Sequence, residues 1–355
     1  MVTQRQIARQ LGVSQSAVAC ALHPTLHSHL STDKRQRILA TAAQLGYQPH
    51  HAARRLIRRR FQEPSRQFDQ AGLIYFGGKA QFLDTVCLAM IFGAEHELSK
   101  VQASFVFVNV GTPGGWEKVD RMARASGVDG WLVYGPVDDE IVSRLKRGRL
   151  PFVILGDHRC TQPVHCVRVD NPAVGRLAAQ HLASRGHRHV GYLRGDPDFR
   201  YVHEAEGGYR AASKEFGLDE DERFIVPLPA WAGTDGKRVI EWLQHTEPKP
   251  TALFVSEFAV AADLCRCLRE AGLEVPGDVS ILGYELGELG STSKDVTRIE
   301  SPMIEVGRQG AALLHRIAVE PGEPPQEVKI APRLVEGGSI APPRSVGGIE
   351  GGVLS

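Results

Sequence analysis

The sequence predicts an all-α helix-turn-helix head joined to a larger α/β domain of two doubly wound parallel-sheet lobes. Three observations carry this. The first fifty residues place apolar positions at helical spacing between Ser/Thr caps and Gly stops. From Ala71 onward, short apolar runs alternate with helical stretches. Charge divides near the same boundary: residues 1–66 hold 11 of the 42 Lys+Arg but 2 of the 41 Asp+Glu, leaving the remainder acidic although the whole chain nets +1. A basic module on an acidic body suits contact with a polyanion, because phosphates attract the first and repel the second.

In the head, Thr3 caps a first helix and Gln6 completes a capping box. Ile7, Ala8 and Leu11 form its inner stripe, and Gly12 ends it. Ser14 caps a second helix reaching about Leu22, with Val18 and Leu22 inward. A His- and Pro-containing loop follows. Ser31 then caps a third helix, in which Ile38, Leu39, Ala42 and Leu45 are expected to face inward, with Gly46 and Pro49 as its stop. Helix, Gly-containing turn, helix is the pattern that places a second helix in the DNA major groove with its N-terminal residues at the base edges. Gln15 and Ser16 occupy that first turn, and Cys20 lies one turn further along. Gln pairs bidentately with adenine, whereas Ser reads more loosely. Thr3, Ser14 and His29 are assigned to the same DNA-facing surface, and Lys34, Arg35 and Arg37 to phosphates.

After Pro49 comes HHAARRLIRRR, a helix-forming run too short to hold helix alone. On DNA, Arg54 and Arg55 would neutralise phosphates and Leu56 would wedge between base steps. The expected organisation is a head over 1–47, a hinge over 48–60, a linker over 61–70, a two-lobed domain over 71–340 and a flexible tail over 341–355.

Eight strands are expected in the large domain: 71–76, 103–108, 130–133, 152–155, 167–169, 189–193, 252–255 and 280–282, with another near 297–299. Helices are expected near 82–98, 115–125, 138–146, 172–184, 203–216, 234–244 and 258–271. So many strands require two sheets, hence two lobes, and ligands of such folds bind at the carboxyl ends of strands.

Several classes are disfavoured. No eighteen-residue apolar run spans a membrane, and no secretory leader opens the chain, so a cytoplasmic address is expected. The six cysteines lack zinc-site spacing and read as reduced small hydrophobes, and His158, Cys160, His165 and Cys166 are split by a strand boundary. No cofactor or metal is expected. No Gly-x-Ser-x-Gly, Walker or His-Glu-x-x-His motif is present, and Gly111–Gly115 lacks the Lys-Ser/Thr ending of a phosphate loop. The chain therefore reads as a non-enzyme. A soluble sugar-binding module and a nucleotide-using α/β enzyme are the rival classes, and neither needs a basic head.

Two stretches, VTQRQIARQLGVSQSAV and LSTDKRQRILATAAQLGYQPHHAARRL, resemble the DNA-binding head of the LacI/GalR family of transcription regulators. The resemblance continues through Val169-Asp170-Asn171, 182–190, Gly208–Ala212 and Val275–Tyr284 to about residue 340. It implies a periplasmic-binding-protein-like sensor domain whose lobes are crossed by three chain segments. It also implies a hinge helix that orders on operator DNA with Leu56 in the minor groove. Implied partners are a double-stranded DNA operator, a small-molecule effector and a second copy of the chain. Cys20 stands where the family usually has Arg, which predicts an unusual operator.

The effector cleft departs further. Ala205 replaces a frequent Arg, Glu257 an Asn or Asp, and Glu285 an Asp, while Gly156 with Asp157 follows the 152–155 strand. Trp231 stands where some members pack a ring on a sugar. The expected site is acidic, built from Asp157, Glu257 and Glu285, with Lys79, Arg200 and His203 as counter-charges. A sugar-like polyol fits carboxylates and an aromatic face. A cationic ligand and an effector-independent regulator are the alternatives. No leucine heptads occur in 341–355, so a dimer rather than a coiled-coil tetramer is expected.

Overall fold

A computed structural model of the 355-residue chain describes residues 2–22, 30–47, 68–77, 85–125, 127–196, 199–228, 235–288 and 294–344. The chain separates into two compact units, Met1–Ser65 and Arg66–Ser355.

Among its described residues the first unit holds three helices, α1 (Gln4–Leu11), α2 (Gln15–Ala21) and α3 (Thr32–Gln44). Each begins where a hydroxyl replaces the missing helical acceptor: Thr3, Ser14 and Ser31 accept from the backbone N–H of Gln6, Ala17 and Lys34. Gly12 ends α1 at φ 63°, a left-handed conformation that suits glycine. Ile7, Ala8, Val18, Ala21, Ile38 and Ala42 meet in one core. Leu39, expected inside, is 38% exposed. The inward stripe of α3 runs Ile38, Thr41, Ala42 and Leu45, and Leu39 lies about 100° around the helix from Ile38.

The second unit contains two six-stranded sheets. The strands are β1 (Gln70–Tyr75), β2 (Ser104–Asn109), β3 (Gly130–Tyr134), β4 (Phe152–Leu155), β5 (Cys166–Val169), β6 (Val190–Arg194), β7 (Ile225–Pro227), β8 (Ala252–Val255), β9 (Ser280–Leu286), β10 (Thr297–Ser301), β11 (Glu327–Ile330) and β12 (Arg333–Val335). The helices are α4 (Thr85–Lys100), α5 (Gly115–Arg124), α6 (Asp139–Arg147), α7 (Asn171–Ser184), α8 (Arg200–Phe216), α9 (Asp235–His245), α10 (Phe258–Glu270) and α11 (Met303–Val319).

Lobe 1 has strand order β2-β1-β3-β4-β5-β11, all parallel. Lobe 2 has order β7-β6-β8-β9-β10-β12, parallel except that β12 runs against β10. Central strands such as β4 and β8 are apolar and almost wholly buried because helices cover both faces. The chain passes between lobes three times: from β5 to α7, from β10 to α11, and from β11 to β12.

The α/β alternation as read from the sequence omits α11, β7, β11 and β12. The large unit also begins before residue 71: Phe68 is buried and packs edge-on against His315 of α11, ring centroids 5.4 Å apart. The start of the expected free tail is likewise docked. Ser280 Oγ donates to the Ala341 carbonyl at 3.1 Å, and Arg344 pairs with Glu274 and Asp278.

Candidate nucleic-acid face and ligand cavity

In the head, Val18 and Ala21 turn α2 toward the core, which leaves Gln15 and Ser16 exposed on its first turn. Gln15 Oε1 accepts from Arg5 Nε at 3.3 Å, and the Ser14 and Ser16 hydroxyls lie 2.9 Å apart. Thr3 is occupied by its capping box, its backbone N–H donating to Gln6 Oε1 at 2.7 Å. Cys20 is half-buried further along α2. Arg5 joins this surface without having been singled out in the sequence, where it is one of two arginines on a short helix. His29, Arg54, Arg55 and Leu56, and with them the expected hinge, lie outside the described residues.

In the large unit, a cavity of about 540 Å³ lies between the lobes at the carboxyl ends of strands. Lobe 1 contributes Tyr75–Gly77 after β1, Tyr134–Pro136 after β3, and Gly156–Arg159 after β4. Asn171, Phe199–Tyr201, Leu286 and Met303 face them, with Val86 and Val169. The lining is chiefly aromatic. Tyr75 and Tyr134 stack with centroids 5.9 Å apart, and Phe199 and Tyr201 sit 5.7 Å apart.

Two of the expected effector residues, Asp157 and Arg200, line this cavity. Asp157 accepts from Asn171 Nδ2 at 3.2 and 3.1 Å and lies 3.4 Å from Arg168 Nη1. Burial pushes its pKa up against the lowering influence of Arg168. Arg200 Nε bonds Glu204 at 2.8 Å, and its Nη1 reaches the His158 carbonyl at 3.4 Å. Burial and the guanidiniums of Arg200 and Arg168 push the His158 imidazole below its usual range, so it stays neutral.

The remaining expected residues are not brought to the lining. Glu285 is buried on β9 with Arg298 Nε at 2.7 Å, and Leu286 takes the cavity-facing place beside it. A carboxylate taken from water needs a cation, and Arg298 pairs with both Glu285 and Glu300. Glu257 occupies the N-cap position of α10 beside Gly195, with its pKa raised by burial and then by Asp196. His203 is exposed on α8. Lys79 and Trp231 lie outside the described residues. The site is thus less acidic and more aromatic than the sequence implied. Tyr75 and Tyr134 were hidden because aromatic residues at strand ends read as core, and Phe199 and Tyr201 because they open a helix. Among the described residues, no group of three His, Cys, Asp or Glu is gathered for a metal ion.

A family model described as a periplasmic binding protein-like domain matches residues 179–340. An HTH-type transcriptional regulator of Mycolicibacterium smegmatis is 26% identical over 337 residues, 88% of this chain and 90% of that protein. Catabolite control protein A of Priestia megaterium is 24% identical, covering 88% of this chain and 91% of its own. These matches run the length of both units and carry one kind of name. Over most of its length the chain is similar to helix-turn-helix transcriptional regulators. Among solved structures, the Lac repressor bound to ONPG in its repressed state matches with TM-score 0.73 at 20% identity, covering 96% of this chain and 99% of that one. A CelR–cellobiose complex matches with TM-score 0.64 at 23% identity, covering 96% of this chain and 100% of that one.

Proposed function

We propose that this protein is a homodimeric, non-enzymatic repressor of the LacI/GalR family, acting in the cytoplasm. In this reading it binds a pseudo-palindromic operator through two heads and is controlled by a neutral, polyhydroxylated ligand in the inter-lobe cavity. The observation that carries the DNA reading is the exposed first turn of α2, with Gln15 and Ser16 outward on a head whose residues 1–66 are strongly basic. Thr3, Ser14 and Cys20 border that turn, and His29, Arg54, Arg55 and Leu56 complete the proposed contact set. The family supports the same reading, since one structural relative is a Lac repressor dimer bound to operator and the anti-inducer ONPF.

The ligand class follows from what the cavity wall leaves available. Arg168 and Arg200 are engaged by carboxylates, so neither guanidinium is offered to an anionic ligand. The Asp157 carboxylate can accept from hydroxyls, while Tyr75, Tyr134, Phe199 and Tyr201 offer faces for ring C–H groups. Cellobiose in the CelR relative and ribose in a LacI family regulator are ligands of this kind.

The dimer face is assigned to α4 and α11 of lobe 1. Phe92 is 60% exposed, and Ile304 is exposed on the helix packed against it. Exposed large apolar groups of this sort mark contact surfaces. Phe92→Glu should convert a dimer to a monomer at micromolar concentration by light scattering. A wild-type monomer, or a dimer indifferent to this change, would contradict the assignment. DNA binding is tested by titrating the full-length protein onto a random duplex at rising salt. A log K that falls by about 0.9 per log salt for each neutralised phosphate is expected, and salt-independent binding would refute a phosphate-contacting head.

A further inference from the structure

Three carboxylates converge on Arg168, a β5 residue only 3% exposed. Its Nε donates to Glu327 Oε1 at 2.5 Å. Its Nη1 donates to Glu204 Oε2 at 2.6 Å and more distantly to Asp157 Oδ1 at 3.4 Å, while Nη2 reaches Glu204 Oε1 at 3.3 Å. Glu327 on β11 and Asp157 after β4 belong to lobe 1, as does Arg168 itself. Glu204 belongs to α8 of lobe 2. The strongest Nη1 contact therefore crosses between lobes. Asn171, buried at the start of α7, donates to Asp157 and also to Glu204 Oε2 at 3.0 Å. Arg200 of α8 makes a second crossing to the His158 carbonyl.

The geometry is one of competition. A guanidinium held by Glu327 has its Nη1 shared between a cavity-wall carboxylate of its own lobe and a carboxylate of the opposite lobe. The nearer partner, Glu204, is held below the usual carboxylate range: burial raises it, and bonds from Arg168 and Asn171 outweigh that. Asp157 is the less well served of the two, and it faces the cavity.

We propose that Arg168 and Glu204 form a clasp between the lobes, and that Asp157 is its cavity-side competitor. A ligand donor that occupies the Asp157 carboxylate leaves the Arg168 Nη1 to Glu204 and holds the lobes together. Arg168 and Glu204 are positioning residues in this scheme. The clasp stands independently of the ligand reading; only its coupling to an occupant rests on the cavity being the effector site.

The test is amide hydrogen exchange on full-length protein without ligand, read over 156–159 and 199–204 against the strand cores, which report general loosening. Glu204→Gln keeps size and hydrogen-bonding capacity, and it should speed exchange in these two segments about threefold or more with cores unchanged. Glu327→Gln removes an equally close partner that lies within lobe 1, and it should leave these segments as they are. Asp157→Asn removes the competitor and should slow their exchange. An inert Glu204→Gln, an equal acceleration by Glu327→Gln, or acceleration by Asp157→Asn would each overturn the clasp.

Discussion

Gln15 and Ser16 show how a residue's role follows from the face it occupies. Val18 and Ala21 fill the head core, so helical geometry turns the first turn of α2 outward. Replacing Gln15 with Ala should cost about 1–3 kcal/mol on the preferred operator and far less on random DNA, measured by competition binding. An equal loss on both would reassign Gln15 to phosphate contact. His187 offers a test of the large unit. It is buried with Nδ1 2.9 Å from Thr251 Oγ1, and burial pushes its pKa down to about 4 from 6.5. The unfolded chain takes up a proton below about pH 6.5 that the folded chain refuses, so stability is full above that range and lost as pH falls toward 4. His158, His165 and His181 are shifted the same way, whereas buried Asp157, Glu257 and Glu285 are shifted up and act in the opposite sense. From about pH 7 to about pH 5, His187→Gln should lose about 2 kcal/mol less unfolding free energy than wild type in urea titrations. Identical pH slopes would mean that His187 is not the titrating group. The sequence exposed Asp157 as a cleft residue, because it follows a strand end. It concealed Glu285, because a strand-end carboxylate looks the same whether it faces a ligand or a buried arginine.

At the scale of elements, both lobes rest on a helix pair brought together by reciprocal glycines. A Cβ at Gly93 of α4 would lie 1.8 Å from the Ile304 carbonyl oxygen, and one at Gly307 of α11 would lie 2.0 Å from that of Met90. In lobe 2, a Cβ at Gly175 of α7 would lie 1.9 Å from the Ala205 carbonyl oxygen, and one at Gly208 of α8 would lie 2.0 Å from that of Pro172. Backbone cannot yield as a side chain does, so Gly208→Ala should destabilise by about 1–3 kcal/mol. Its neighbour Gly207 has nothing within 4 Å of the same point, and Gly207→Ala should instead stabilise α8 by about 0.5–1 kcal/mol. Calorimetry of the two variants reads both signs, and a stable Gly208→Ala would contradict the close helix approach. The helices of the α/β alternation were legible because their apolar spacing is local. The edge strands β11 and β12 were not: they are short, half-exposed and charged, and β11 finds β5 some 160 residues earlier in the chain. The α11 helix carried a readable stripe in Val306, Leu313, Leu314 and Ile317, but it lies beyond the point where the strand–helix alternation is read to end.

For the whole molecule, the division of charge and the two sheets were both written in the sequence, because composition and periodicity accumulate over many residues. The inter-lobe cavity lies at the carboxyl ends of strands, where the sequence placed it, but its aromatic wall was not legible, because Tyr75 and Tyr134 end strands while Phe199 and Tyr201 open α8, far apart in the chain. In the proposed function this protein reads DNA as a symmetric dimer through its basic heads. Selection of random duplex DNA by the full-length protein, without added ligand, is the decisive measurement. A dimer of this kind enriches a pseudo-palindrome with one fixed half-site spacing, and Gln15→Ala should shift its base preference. Enrichment of single, unpaired half-sites, or no enrichment by either the full chain or its isolated head, would contradict it.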